Sequence, residues 1–178
     1  MESYSQVGQD KWVLSLFPEG YKGTFMDLGC QQPEFINNTK LLEEYGWDGV
    51  SFDIGDYAEQ WKSRNTKFIQ EDVFKFDFNS LNFPKHIDYL SLDVCGYHGV
   101  CRDVLRRVIG FGYEFKCITI EHNLYFIHPD IERNPQRIML LNNGYIPLRL
   151  DVDNNGINIF EDWWINPKYF DITTHAKV

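Results

Sequence analysis

Acidic residues follow five short apolar runs of the chain, at Asp27, Asp53, Asp72, Asp93 and Glu121. Each run has the length and the β-branched and aromatic content of a strand. In a wound parallel sheet, the carboxyl ends of the strands lie along the edge where ligands bind. One acid at such a position usually caps a helix or forms a turn, but five of them predict a ligand site.

The first two strand ends have the spacing of an adenosine-binding site. Gly29 follows Asp27 and Leu28, and Asp53 closes the next strand. A glycine turn lets the backbone approach a nucleoside, and an acid roughly 20 residues farther along binds the ribose hydroxyls. We therefore expect Gly29, Asp53 and the adjoining Ile54 to contact an adenosine-type cofactor.

The loop after the first strand argues against a cofactor that carries a diphosphate. Residues 29–34 read GCQQPE, with one glycine rather than the three of G-x-G-x-x-G, and the final acid would repel phosphate. A cationic adenosine ligand without phosphates fits this acidic lining better, which indicates S-adenosylmethionine. We then expect Asp72, followed by Val73, to accept a hydrogen bond from the adenine amino group, and Asp27 to hold the methionine amine.

Side chains at the fourth and fifth strand ends suit the transfer of a methyl group. The acceptor must lie in line with the leaving sulfur and lose a proton, and a sugar hydroxyl needs a base or a metal for this step. We expect His122 to be the base, with Asp93 and Glu121 as partners, ahead of His98. The set Asp93, Glu121 and His122 also suits Mg²⁺ or Mn²⁺. The simpler alternative is a strand-end histidine that only binds Glu121.

Strand patterns alternate with helical patterns along the whole chain, which predicts an α/β fold. No linker or internal repeat divides the chain, so residues 1–178 are expected to form a single domain. A tight turn joins the last two strands, which predicts an antiparallel hairpin at one edge of a mostly parallel, seven-stranded sheet. The expected strands are 23–28, 49–54, 67–70, 87–94, 115–120, 145–151 and 159–164, and the expected helices are 9–17, 38–45, 57–62, 100–109 and 135–142.

The composition narrows the classes of partner. The chain has 178 residues, with 26 Asp and Glu against 17 Lys and Arg, and a net charge of -9. Because basic clusters are missing, we expect a small molecule or a glycan as substrate and no nucleic acid. Aromatic residues make up 16% of the chain, which suits a pocket that stacks on a sugar-like ring.

The location of the protein is predicted from two further features. The first residues lack the pattern of an export signal, and no apolar run reaches the length of a membrane-spanning helix. The four cysteines form no C-x-x-C pair, which indicates reduced thiols. We therefore expect a cytoplasmic protein without a membrane span, and the sequence leaves its oligomeric state open.

Six segments of the chain resemble a known family, in the same order. They are residues 5–10, 25–29, 38–39, 46–49, 88–94 and 161–164, which read SQVGQD, FMDLG, NT, GWDG, DYLSLDV and EDWW. By these segments the chain resembles the FkbM-type methyltransferases, which are class I, S-adenosylmethionine-dependent O-methyltransferases of sugar and natural-product hydroxyls. The resemblance implies a Rossmann-like fold. It also implies a cofactor site formed by Gln6 and Gln9, which would fold over the ligand, and by Asp27, Gly29, Asn38, Asp53, Asp72 and Asp93.

The chain departs from this family at two places. The family commonly continues its fourth strand as D-V-E-G, whereas residues 93–96 read DVCG, and the second glycine of the first loop is replaced near Pro33. These changes leave three functions open. We favour an S-adenosylmethionine-dependent O-methyltransferase for a sugar or glycan hydroxyl. The alternatives are a catalytically inactive S-adenosylmethionine-binding module and a nucleotide-dependent oxidoreductase.

Overall fold

A seven-stranded sheet forms the centre of the protein, whose computed structural model describes residues 2–171. The strands are β1 (Thr24–Leu28), β2 (Asp48–Asp53), β3 (Lys67–Gln70), β4 (His86–Leu92), β5 (Glu114–Glu121), β6 (Ile146–Asn154) and β7 (Asn158–Ile165). Their order in the sheet is β3-β2-β1-β4-β5-β7-β6. Strands β1 to β5 are parallel, and β7 runs antiparallel to both of its neighbours.

Helices cover both faces of the sheet. Within the described residues they are α1 (Gln9–Ser15), α2 (Lys40–Glu44), a 3₁₀ helix (Gln60–Ser63), α3 (Val100–Gly110) and α4 (Arg133–Asn142). Because successive strand residues point to opposite faces, neighbours on one strand enter different cores. Leu90 and Trp164 pack on the side of α3 and α4, whereas Tyr89 and Trp163 pack on the side of α1 and α2. This two-sided burial explains the nearly continuous apolar runs of the strands.

The predicted mostly parallel sheet with a C-terminal antiparallel hairpin is confirmed. The hairpin folds back into the sheet, so that β7 lies between β5 and β6 and β6 forms the edge. Most predicted elements differ from the structure by one to three residues at an end, and two of these differences stand out. The fourth strand ends at Leu92 rather than at residue 94, because the chain leaves the sheet after the N–H of Asp93 donates to the carbonyl of Leu28 at 2.9 Å. The helix expected over 57–62 is the short 3₁₀ helix.

The order of the strands identifies the edge at which to search for a site. Connections from β1 run outward to β2 and β3, whereas β4 and β5 lie on the other side of β1. The strand order therefore reverses between β1 and β4, and ligands of such sheets bind at this point, beyond the carboxyl ends of the strands. No helix among residues 2–171 is both long and apolar enough to cross a membrane.

Candidate functional site

The loops after β1 and β4 touch at the switch point because Gly29 has no side chain. Gly29 has a φ of +89°, and a Cβ atom placed on it would lie 1.9 Å from the carbonyl oxygen of Asp93. Only glycine tolerates both this backbone conformation and this contact. The N–H of Gly29 donates to the carbonyl of Phe52 at 2.9 Å, which ties the loop to the end of β2 as well.

Two cavities meet at this contact. The first has a volume of about 470 Å³ and lies over the ends of β2 and β3, while the second has a volume of about 290 Å³ and lies over β1. Both are lined by Gly29, Gln31 and Asp93. The switch point thus carries one continuous cleft with two compartments, which we call the nucleoside cavity and the second cavity.

Asp53 shapes the nucleoside cavity by binding backbone on both sides. Its Oδ2 accepts the N–H of Gln31 at 2.8 Å, and its Oδ1 accepts the N–H of Gly55 at 2.7 Å. The carboxylate therefore fixes the loop after β1 against the loop after β2. Ile54 lines the same cavity, with most of its side chain exposed.

The end of β3 forms the opposite wall of the nucleoside cavity. Asp72 and Val73 both line it, as predicted for cofactor residues from the sequence. The Oδ1 atom of Asp72 accepts the N–H of Phe74 at 2.9 Å, so the turn positions the carboxylate. Glu71 adds a further carboxylate to this wall.

Asp27 forms the floor of the second cavity. It is buried, and its carboxylate accepts hydrogen bonds from the hydroxyls of Ser91 and Thr39, the latter at 3.1 Å. Asn38 donates to the Ser91 hydroxyl at 3.1 Å, and Asn38 and Gln6 line the cavity. Burial raises the pKa of Asp27 to about 6, although these hydrogen bonds oppose the rise.

The charge of the cleft is one-sided. Its described lining includes no lysine, arginine or histidine, whereas five carboxyl groups line the two cavities, those of Asp27, Asp53, Glu71, Asp72 and Asp93. Clefts lined by one sign of charge attract ligands of the opposite sign. The cleft therefore suits a cation and repels phosphate.

A second group of acids continues from Asp93 along the strand ends. Asp93 and Glu121 are hydrogen-bonded to each other, and burial together with the neighbouring charge raises the pKa of Glu121, while burial also raises the pKa of Asp93. Because the two carboxyl groups are so close, ionisation of one opposes ionisation of the other. Glu121 lies opposite Glu161 in the β5–β7 register.

Glu161 is buried without a cationic partner in its hydrogen bonds. It accepts the side-chain N–H of Trp163 and that of Gln9, the latter at 3.3 Å. Burial raises the pKa of Glu161 to about 8. Gln9 was predicted to fold over a cofactor, but it is buried against Glu161 and lines neither cavity of the cleft.

His122 lies away from the carboxylates predicted as its partners. Its Nε2 atom lies 3.4 Å from Oδ1 of Asp162, on the side of α4. Glu121 is the last residue of β5 and His122 is the first residue after it, and Asp162, not Glu121, is the carboxylate beside Nε2 of His122. The expected set Asp93, Glu121 and His122 is therefore not assembled as a base with its two partners.

The same arrangement does not fit the predicted Mg²⁺ or Mn²⁺ at Asp93, Glu121 and His122. Among residues 2–171, the His, Cys, Asp and Glu side chains whose ligand atoms all lie within 4.8 Å of one another are those of His122, Asp151 and Asp162. In that cluster, Arg137 donates to both oxygens of Asp162, at 2.7 and 2.8 Å. The Asp162 oxygens that a metal ion would need as ligands therefore already accept hydrogen bonds from Arg137.

Sequence reasoning missed several residues of the cleft. Gln31, with a φ of 48°, reaches both cavities, and Ser91 connects Asn38 to Asp27. Ser91 lies two positions before Asp93, so strand alternation places the two on the same face, a signal that was available. The conformation of Gln31 has no comparable signal in the sequence.

Comparisons with known proteins agree on the fold. A scan against protein-family models and a search of curated proteins returned no match for this sequence. Among solved structures, a candidate methylase from Haemophilus influenzae matches with a TM-score of 0.62 and 12% identity, covering 89% of this chain and 87% of that one.

Two further structures match at similar levels. The 1,6-didemethyltoxoflavin-N1-methyltransferase of Burkholderia thailandensis, with bound S-adenosylhomocysteine, has a TM-score of 0.58 and 12% identity, covering 90% of this chain and 79% of that one. A candidate rRNA methylase from Clostridium thermocellum has a TM-score of 0.58 and 14% identity, covering 93% and 97%. At such identities the likeness shows the fold, and the predicted Rossmann-like methyltransferase architecture is confirmed.

Proposed function

We propose that this chain is an S-adenosylmethionine-dependent methyltransferase. The observation that carries the proposal is the one-sided charge of the cleft, which has five carboxyl groups and no cationic side chain along its described lining. This lining suits a cationic nucleoside without phosphate. The fold shared with a methyltransferase that holds S-adenosylhomocysteine supports the same ligand.

The two cavities suit the two halves of this cofactor. In the nucleoside cavity, Asp53 would bind the ribose hydroxyls, Ile54 would cover the base, and Asp72 with Val73 would bind the adenine edge. Gly29 leaves room for the ligand to lie against the backbone. A nucleotide-dependent oxidoreductase fits this lining poorly, because phosphates would face carboxylates.

In the second cavity, Asp27 would hold the amine of the methionine part, with Asn38 and Gln6 beside it. Gln9 would support this cavity indirectly. Its side-chain oxygen accepts the N–H of Val7 at 3.0 Å, and Val7 is the residue after Gln6. Asp93 lines both cavities and so lies where the two halves of the cofactor join.

When bound, the cofactor supplies a methyl group made electrophilic by its sulfonium sulfur. The residues of the chain have to align the acceptor and take up its proton. We assign proton uptake to the Asp93–Glu121 pair in place of His122, because Asp93 faces the cleft and the raised pKa of both carboxyl groups makes them stronger bases. His122 instead supports the α4 side of the sheet through Asp162.

The acceptor that we propose is a hydroxyl of a sugar or glycan, as in the FkbM-type enzymes that the sequence resembles. A hydroxyl is a weak nucleophile and needs a base, and the carboxyl pair provides one. The structural neighbours include an N1-methyltransferase and a candidate rRNA methylase, so the fold by itself does not restrict the acceptor to a sugar. The absence of a nucleic-acid partner and a cytoplasmic location remain predictions from the sequence.

Calorimetric titration with S-adenosylhomocysteine tests cofactor binding. Asp72 and Asp77 form the same kind of turn, accepting the N–H two residues ahead at 2.9 and 3.0 Å, but only Asp72 lines the cleft. We expect D72N to weaken binding by about tenfold, since a hydrogen bond to a charged group contributes roughly 1.5–3 kcal/mol, and D77N to bind like the wild type. Binding of NAD together with no binding of S-adenosylhomocysteine would contradict the proposal.

A turnover assay separates the enzyme from an inactive binding module. With labelled S-adenosylmethionine and a panel of free and lipid-linked sugars, D93N should bind S-adenosylhomocysteine but lose at least a hundredfold in kcat, the usual scale for a general base. Cofactor binding by the wild type without methylation of any acceptor would favour the module. Equal rates with and without a chelator are expected, because the predicted metal ligands do not converge.

A further inference from the structure

A third cavity, of about 190 Å³, lies beside the nucleoside cavity. The two share one wall, the loop of Val94, Cys95, Gly96 and Tyr97 that follows β4. It is smaller than either cavity of the cleft. The cavity therefore suits a single small ring.

The base proposed above reaches this cavity. Glu121, which is hydrogen-bonded to Asp93, lines the cavity, while Asp93 lines the cofactor cleft. The carboxyl pair thus joins the cleft to the third cavity. A group held in this cavity can give its proton to the pair while the cofactor occupies the cleft.

His122 gives the third cavity an unpartnered polar atom. It is 1% exposed, it lines the cavity, and neither ring nitrogen makes a hydrogen bond within the described part of the chain. Nε2 lies 3.4 Å from a carboxylate oxygen of Asp162, whereas Nδ1 has no hydrogen-bond partner among the described residues. Buried polar atoms normally have partners, so Nδ1 is positioned to meet a polar group of a ligand in this cavity.

Exposed aromatic side chains surround the mouth of the cavity. Tyr97 is 55% exposed and Phe126 is 54% exposed, and both line it. The ring of His98 lies 5.8 Å from that of Phe126, and Tyr125 adds a ring at 4.7 Å. Large exposed aromatic groups at one cavity mouth mark a binding surface for the face of a ring.

The charged groups of this cavity favour an uncharged or cationic ligand over an anionic one. Its described lining holds no lysine or arginine, two histidines, His98 and His122, and two carboxyl groups, those of Glu121 and Glu132. Both carboxylate oxygens of Glu132 already accept hydrogen bonds, from the N–H groups of Gly99 and Arg102 and from the side-chain amide of Gln136. Glu121 therefore remains as the carboxyl group that a ligand can meet.

We propose that the third cavity is the acceptor subsite, and that it takes a single uncharged or cationic ring which presents an O–H or N–H group to the Asp93–Glu121 pair. Phosphorylated sugars and nucleotides are rejected as acceptors. The inference rests on the proposed methyltransferase function. In the transfer, the acceptor lone pair forms the bond to the methyl carbon, the electrons of the carbon–sulfur bond stay on sulfur, and the acceptor proton passes to the carboxyl pair.

Ligand binding to the complex with S-adenosylhomocysteine tests this subsite. The probes are methyl β-glucoside and adenine as uncharged rings, with glucose 6-phosphate and AMP as their anionic counterparts, each at millimolar concentration. We expect F126A to weaken binding of the preferred uncharged ring by about five- to tenfold, the scale of one aromatic contact, with S-adenosylhomocysteine affinity unchanged. Y45A, which removes a similarly exposed aromatic ring elsewhere, should bind like the wild type.

The position of the ring is tested by the ¹⁵N chemical shifts of the histidines. Nδ1 of His122 should shift when the ring binds, while that of the exposed His128 should not. Equal binding by F126A and wild type, an unmoved His122 signal, tighter binding of the anionic probes, or no binding of any uncharged probe would each overturn the subsite. Failure to bind S-adenosylhomocysteine overturns the proposed function instead, and the same variants then test ring binding on the free protein.

Discussion

Two groups of acids lie at neighbouring strand ends, and they differ in whether a cationic side chain is hydrogen-bonded to them. On the α4 side, Arg137 donates to both Asp162 and Asp151, and the pKa of Asp162 falls to about 2 despite burial, chiefly through Arg137. On the cleft side, Asp27 and Glu161 have pKa values raised to about 6 and 8 by burial. The same residue types thus have opposite pKa shifts.

The difference separates acids that stabilise the fold from acids that are available to bind a cationic ligand. Acids with arginine partners stabilise the native state as they stand, and no ligand improves their surroundings. Acids without a cation destabilise the folded chain when ionised, and a cationic ligand removes that cost. Strongly perturbed carboxyl groups in a cleft are candidates for function for this reason.

The largest effect is expected on removing the cation from the α4 side. R137M leaves Asp162 buried beside His122 without its arginine, and breaking a buried ion pair in this way costs about 3–5 kcal/mol. Urea denaturation should show this loss of stability, while the folded variant should bind S-adenosylhomocysteine as the wild type does.

Arg106 provides the matched control for R137M. It pairs with Asp103 at 2.8 Å, but its side chain is largely exposed, so R106M should cost less than about 1 kcal/mol. If R137M were as stable as R106M, the α4 cluster would not be a stabilising group, and the contrast between the two regions would be wrong.

A smaller effect is expected at Glu161, and it depends on pH. Glu161 binds its proton more tightly in the folded chain than in the unfolded chain, so its contribution to stability is complete below pH 4.5 and is lost as the pH rises through about 8. E161Q, which resembles the protonated acid, should be more stable than the wild type at pH 9 and similar to it at pH 4.5.

Denaturation of the ligand-free protein across this pH range measures the effect of E161Q. E59Q is the control, because Glu59 is exposed and pairs only with Lys62 at the surface. Parallel stability curves for E161Q and the wild type from pH 4.5 to 9 would show that Glu161 already has a compensating charge in the folded chain.

The smallest effect concerns cofactor affinity at Asp27. With a pKa of about 6 in the free protein, Asp27 ionises between pH 5 and pH 7, and only the ionised form attracts an amine. The affinity for S-adenosylhomocysteine should therefore rise by about tenfold from pH 5 to pH 7. D27N should bind weakly with a flat profile, measured by calorimetry at each pH, whereas D77N should retain the rise.

The sequence predicted the fold well, and it also named acids that the structure brings together in one cleft. Strand patterns, the glycine after β1 and the acids at strand ends are local signals, and parallel pairing brings those ends together. Asp27, Asp53 and Asp72 accordingly line the cleft. The mostly parallel sheet and its antiparallel hairpin followed from the alternation of strands and helices and from the tight turn before β7, whereas the order of the strands did not.

The catalytic half was predicted less well, because it depends on side-chain direction and on distant partners. His122 follows Glu121 in sequence, but its ion-pair partner is Asp162, which Arg137 also binds. Glu161 lies opposite Glu121 because β7 enters the sheet beside β5. A strand that inserts between two others leaves no mark in its own sequence.

The position of β7 also sets the order in which the protein can be completed during synthesis. Strands β1 to β5 can pair as they leave the ribosome, but the free edge of β5 has to wait until residue 165 has emerged. β6 is made earlier and has no partner in the sheet except β7. Until then, the edge of β5, which ends at Glu121, has no paired strand. When β7 pairs with β5, it covers this edge and at the same time places Glu161 opposite Glu121.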